Sequence, residues 1–204
     1  MQQLARGCWR KIAITLIDPD APILNECNRL LTTVWKNPVG IERKMHSIVR
    51  PESLLVMKNI ACQLEHSVDA EVSPSFAWSW RTDIKNWDDP PAQFQLDGPF
   101  ASGSWGTTFL PGQEPLRWQI RDLRPGVAFI IEVPHDGAVL SFEWLFDAVS
   151  NHRTRITQRI VLSGDNATAY VNQVQAGFGS NLPDGMKRIA DAMARAERST
   201  ERRG

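Results

Sequence analysis

In the run Arg153 to Ser163, alternate residues read Ile156, Gln158, Ile160 and Leu162, so one amide interrupts an apolar series. An amide enclosed by apolar neighbours costs about 1–3 kcal/mol unless it is hydrogen-bonded. Gln158 therefore holds a carbonyl or hydroxyl of a bound molecule, or it bonds to neighbouring backbone or a trapped water. His66 has a comparable setting, on the alternating face Cys62, Leu64, His66 and Val68. An inward imidazole is the one candidate for a general base, with a satisfied core histidine as the alternative. His46, His135 and His152 are scattered along the chain. Glu132, Glu143, Asp147 and Arg117 fall opposite the apolar faces of their strands and read as a solvated, ion-paired surface. Gly-x-Ser-x-Gly, His-Glu-x-x-His, a phosphate loop and a Gly-x-Gly-x-x-Gly opening a helix are all missing. Cys8, Cys27 and Cys62 form neither a disulfide framework nor a C-x-x-C pair. The sequence therefore specifies no cofactor and no metal, and the scattered thiols suit a cytoplasmic protein.

The elements that must position these residues are mostly strands. Ala61 to Val72 alternates as a strand. Ser73-Pro74 is a helix start, with Ser as cap and Pro at the first helical position. Phe76, Trp80 and Ile84 then recur at helical spacing, giving a short helix to about Thr82, and a second short helix or turn follows at Asn86 to Asp89. Six strands are expected next: Phe94 to Leu96, Gly103 to Phe109, Leu116 to Leu123, Val127 to Val133, Val139 to Ala148 and Arg153 to Ser163. Short connections between them mean antiparallel pairing. A long helix from Asn181 or Leu182 to about Arg198 closes the chain, with Met186, Ile189, Ala190 and Met193 on one stripe.

The fold class is α+β: a curved antiparallel sheet of about seven strands whose concave face only the terminal helix is large enough to cover. Alternation turns Trp105, Thr107 and Phe109 inward, together with Trp118, Phe129, Phe142 and Trp144. Trp80 on the short helix and Met186 and Ile189 on the long one complete the lining, with packing as core the alternative for each. Phe178, in the glycine-flanked stretch Gly177 to Asn181, is read as a lid over the space or as a core residue of a plain loop. Trp78 and Trp87 brace the junction of helix and sheet, and Asp83 caps locally. Flat aromatic walls suit an oily guest, whose buried area supplies roughly 25 cal/mol per Å². An enclosed cleft of about 300 Å³ or more is expected beneath the helix.

The chain has 204 residues, with 23 Lys+Arg against 23 Asp+Glu. That balance excludes a dominant electrostatic attraction to nucleic acid or an anionic membrane. No apolar run approaches the ~18 residues that span a bilayer, nor does a signal-peptide pattern open the chain. Residues 1–56 differ in texture: eight basic residues against five acidic ones, short apolar patches (Ile12 to Ile17, Ile23 to Val34), and breaks at Pro19, Pro22, Pro38 and Pro51. They read as an appended, weakly ordered extension or an upstream-start segment, with a genuine helical extension as the alternative. The domain proper then spans residues 57–204, beginning at Met57.

The stretch Ser73-Pro74-Ser75-Phe76-Ala77-Trp78, followed by Asp83-Ile84-Lys85-Asn86-Trp87, resembles the opening of polyketide cyclase/dehydrase-like proteins. These belong to the SRPBCC (START/Bet v 1-like, helix-grip) superfamily. Gly98 with Gly103-Ser104, Trp118-Gln119-Ile120 before Arg124-Pro125-Gly126, and the run Thr154 to Gly164 also match, so the resemblance covers about residues 59–198. It implies a deep apolar cavity between the sheet and the last helix, but no particular reaction.

Three functions follow. One is binding of a hydrophobic small molecule, lipid or polyketide-like. The second is a cyclase/aromatase-like enzyme, which needs an inward acid or base such as His66. The third is a non-catalytic partner-binding module with a filled interior and an exposed apolar patch. Monomer and homodimer are both open.

Overall fold

The computed structural model describes residues 59–87 and 91–202. The reading of residues 1–56 as an extension, and the end of the helical segment at Asn86 to Asp89, lie outside them.

Seven strands form one antiparallel sheet: β1 (Ile60–Ala70), β2 (Gln93–Leu96), β3 (Trp105–Phe109), β4 (Leu116–Arg124), β5 (Ala128–His135), β6 (Ala138–Ser150) and β7 (Arg153–Ser163). Their spatial order is β1-β7-β6-β5-β4-β3-β2. Strands β2 to β7 form a meander, because each connection is short enough only for a neighbour. β1 then pairs with β7, so the first and last strands are adjacent. Helix α1 (Pro74–Thr82) and a 3-10 turn (Ile84–Asn86) follow β1. A 3-10 turn (Ala167–Tyr170), the short helix α2 (Val171–Val174), a π-helical turn (Gln175–Gly179) and the long helix α3 (Leu182–Glu201) follow β7. This is the seven-stranded, helix-closed fold expected from the sequence.

Register sorts the side chains into rows. His66, Gln158, Trp144 and Phe129 lie side by side across β1, β7, β6 and β5. Leu64, Ile160, Phe142, Ile131 and Ile120 form the next row. Cross-strand partners share a face, so both rows lie on the inner side. The outer side is charged: Arg159 joins Glu65 and Glu143 at 2.6 and 3.1 Å, and Arg155 grips Asp69 through two bonds of 2.8 and 3.2 Å.

β3 corrects the alternation read from sequence. Trp105 and Phe109 are 38% and 39% exposed, and Gly106 and Thr108 face inward instead. The cause is the pairing of Gly106 with Trp118. The Trp118 ring lies against Gly106 so closely that a Cβ there would sit 2.2 Å from it. Its Nε1–H donates to Thr108 Oγ1 at 3.1 Å. An indole needs a flat floor, and Gly106 provides one. Trp105 is left on the outside, where the Arg117 guanidinium lies over its ring.

α3 buries Leu182, Met186, Ala190 and Met193, one residue per turn along its inner stripe. Its backbone approaches the sheet along β1 and meets α1. At the start of α1, Ser73 Oγ accepts from Phe76 N–H at 3.4 Å, as a helix cap should. Ser73 also donates its N–H and O–H to the Glu197 carboxylate of α3, at 3.1 and 2.7 Å. One carboxylate thus ties the two helices together.

Candidate functional site

Trp144 is the centre of the interior. It is 2% exposed and stacks against Phe129, with centroids 6.2 Å apart. Phe129 also meets Trp78, Phe100 and Phe146 at 6.0, 5.0 and 6.2 Å. Trp87 meets Phe94, Phe100 and Trp118. Trp78 and Trp87 thus brace α1 and the turn after it against the sheet. Offset and edge-on contacts of this kind add about 0.5–1.5 kcal/mol per pair beyond area burial.

Into this aromatic lattice projects a cation. Arg81, in the last turn of α1, is 7% exposed. Its guanidinium lies over both indoles, 4.0 Å from the Trp144 ring centroid and 4.5 Å from that of Trp87. Among the described residues it forms no ion pair and no side-chain hydrogen bond. Its Nε is sealed from solvent and unpartnered. Burial lowers its pKa to about 9. At neutral pH the group is still a cation, so the penalty falls on stability. Cation–π attraction offsets part of it, about 1–2 kcal/mol per desolvated ring.

Two further polar groups border the same ring. Gln158, 8% exposed, is the cross-strand neighbour of Trp144, and His66 is the cross-strand neighbour of Gln158. Among the described residues neither side chain has a hydrogen-bond partner. The guanidinium and the amide thus border one indole, and the imidazole lies one strand further along the same row, with donors unused on an apolar floor. An acceptor group placed there would be held by several donors at once.

The remaining expected lining residues divide three ways. Trp118, Phe129, Phe142, Phe178 and Met186 are buried, and Trp80 and Ile189 are half-buried against the same core. Trp105 leaves the set, since it points outward. Phe178 is not in an open loop: it belongs to the π turn, is 4% exposed, and meets Phe142 edge-on at 5.3 Å. The fully buried residues of α1 are Ala77 and Arg81, while Phe76 and Trp80, whose spacing marks the helix in the sequence, pack half-buried against the core. Arg81 was thereby missed. Its signal is Ala77 four and Trp78 three residues before it, which places it on the inward face.

Elsewhere, His135 Nε2 is buried and unpartnered, with its ring tilted on Tyr170 at 5.5 Å. Burial lowers its pKa below the ordinary histidine value. No group of His, Cys, Asp and Glu among the described residues could hold a metal ion, and no described helix is long and apolar enough to cross a membrane.

A seven-stranded antiparallel sheet, a helical pair after its first strand and a long closing helix define the Bet v 1-like helix-grip fold, shared with polyketide cyclase-like proteins. Norcoclaurine synthase from Thalictrum flavum, in complex with dopamine and hydroxybenzaldehyde, superposes with a TM-score of 0.54 at 12% identity, over 76% of this chain and 98% of that one. The Zhui aromatase/cyclase from a Streptomyces species gives 0.51 at 16% identity, over 66% of this chain and 94% of that one. No protein-family model matches the chain, and no curated protein matches it.

Proposed function

We propose that the chain binds a hydrophobic small molecule, lipid or polyketide-like, between the sheet and α3. The observation that carries this reading is the set of polar side chains without a hydrogen-bond partner among the described residues: Arg81 and Gln158 beside Trp144, and His66 next along the same inner row. A closed core satisfies or excludes a sealed polar atom such as Arg81 Nε, because leaving it unpaired costs about 1–3 kcal/mol or more. A ligand pocket combines apolar walls with a few convergent polar groups, which matches this arrangement. Titration with the neutral fluorophore N-phenyl-1-naphthylamine tests it. Saturable one-to-one binding, weakened at least tenfold by Ile160→Trp, is the expected result. Absence of saturable binding would overturn the reading.

A cyclase-like activity is the second reading, favoured by the position of His66 beside Gln158 on the inner face. His66→Ala would then abolish turnover of a β-polyketone, a loss of kcat far larger than any change in fluorophore affinity.

A further inference from the structure

We infer that the ligand carries a carboxylate and that Arg81 is its seat. The inference deepens the proposed binding function and rests on it.

The first argument is geometric. Indoles lie over the guanidinium at 4.0 and 4.5 Å. A guanidinium donates only in its own plane, as a rigid fork. A hydrogen-bonding partner must therefore meet it along its N–H edge. A carboxylate is planar and accepts two parallel N–H bonds, so it fits that edge.

The second argument concerns access. Nε is sealed, whereas the two terminal amino groups, which have no hydrogen-bond partner among the described residues, are not among the sealed atoms. The donors best placed for a fork-like bond are therefore the ones an incoming group can reach. Among the described residues only ring contacts hold the guanidinium, so no hydrogen bond with them has to break before it turns toward an acceptor. Gln158, beside Trp144, offers an amide N–H₂ as a further donor on the same inner face.

The third argument is electrostatic. Five arginines on the outside of the sheet, Arg117, Arg121, Arg153, Arg155 and Arg159, each lie within 3.6 Å of a carboxylate oxygen. The enclosed arginine, for which a counter-charge matters most, has none among the described residues. A ligand carboxylate would supply that counter-charge.

The test compares dodecanoate with dodecanol and 2-naphthoate with 2-naphthalenemethanol, followed by tryptophan fluorescence, since Trp87 and Trp144 flank the seat. The full chain should bind the acid of at least one pair tenfold or more tighter than its alcohol. Arg81→Met should erase that preference while keeping the alcohol affinity, and its unliganded Tm should rise. Arg81→Gln, a polar variant, should erase it too if the Met variant fails to fold. Equal affinities in the parent, or a preference surviving in either variant, overturns the carboxylate seat and leaves hydrophobic binding standing. Binding of none of the four compounds overturns both. A lower Tm in both variants with the preference intact marks a merely structural cation and also overturns the seat.

Discussion

The two faces of one sheet treat arginine in opposite ways. On the outer face, Arg159 lies between Glu65 and Glu143 and Arg155 grips Asp69, although water could solvate both cations. Inside, Arg81 is enclosed by indoles with no acid beside it. The outer pairs arise from register alone, because Glu65, Arg159 and Glu143 are cross-strand neighbours. The same register sets Gln158 beside Trp144 on the inner face, and α1 lowers Arg81 onto that ring. Evenly spread charge on a solvated surface contributes little, whereas one unpaired charge in an apolar interior costs much. The difference leaves a buried charge, uncompensated among the described residues, on the inner side.

The largest expected effect tests whether the inner face is closely built. Gly106→Val places carbon where the Trp118 ring lies and should cost about 3 kcal/mol, read as a lower midpoint in urea. Next, Arg81→Met should stabilise the unliganded protein by about 1–3 kcal/mol, as replacing buried charge by apolar volume often does. A destabilised Met variant would erase the contrast between the faces.

His135 sharpens the comparison at the rim. Its burial depresses the folded pKa, so the unfolded chain binds more protons near and below the usual histidine value. Stability should be complete above about pH 6.5 and decline as pH falls through the lowered folded value. His135→Phe should flatten that decline in melts between about pH 7.5 and 5. Smallest is the outer face: Arg159→Ala should cost only about 0.5–1 kcal/mol, and less in high salt.

Strand order, the cap at Ser73 and the span of β7 were legible in the sequence, since period-two alternation and a Ser-Pro start report directly on backbone geometry. β5 and β6 extend further than read, because the hairpin turns on Asp136-Gly137 alone and Pro134 stays within β5. The inner face of β3 was not legible: Trp105, Thr107 and Phe109 are the more apolar set, and only pairing with Trp118 turns Gly106 and Thr108 inward. Gln158 and His66 could be found because each interrupts an apolar alternation. Arg81 could not be found in that way, because an arginine on a short helix reads as solvated until its neighbours Ala77 and Trp78 are seen to face the sheet. Sequence periodicity reports which face a residue occupies, and only tertiary placement shows what lies opposite it.

The carboxylate of Glu197 accepts both donors of Ser73, 124 positions upstream in the chain. Since α1 begins at that serine and carries Arg81 in its last turn, the terminal rod anchors the short helix from which the guanidinium projects. A shift in the chain's final turns is transmitted through a single acid to the cation at the centre, so the tail of the sequence takes part in setting the geometry of its interior.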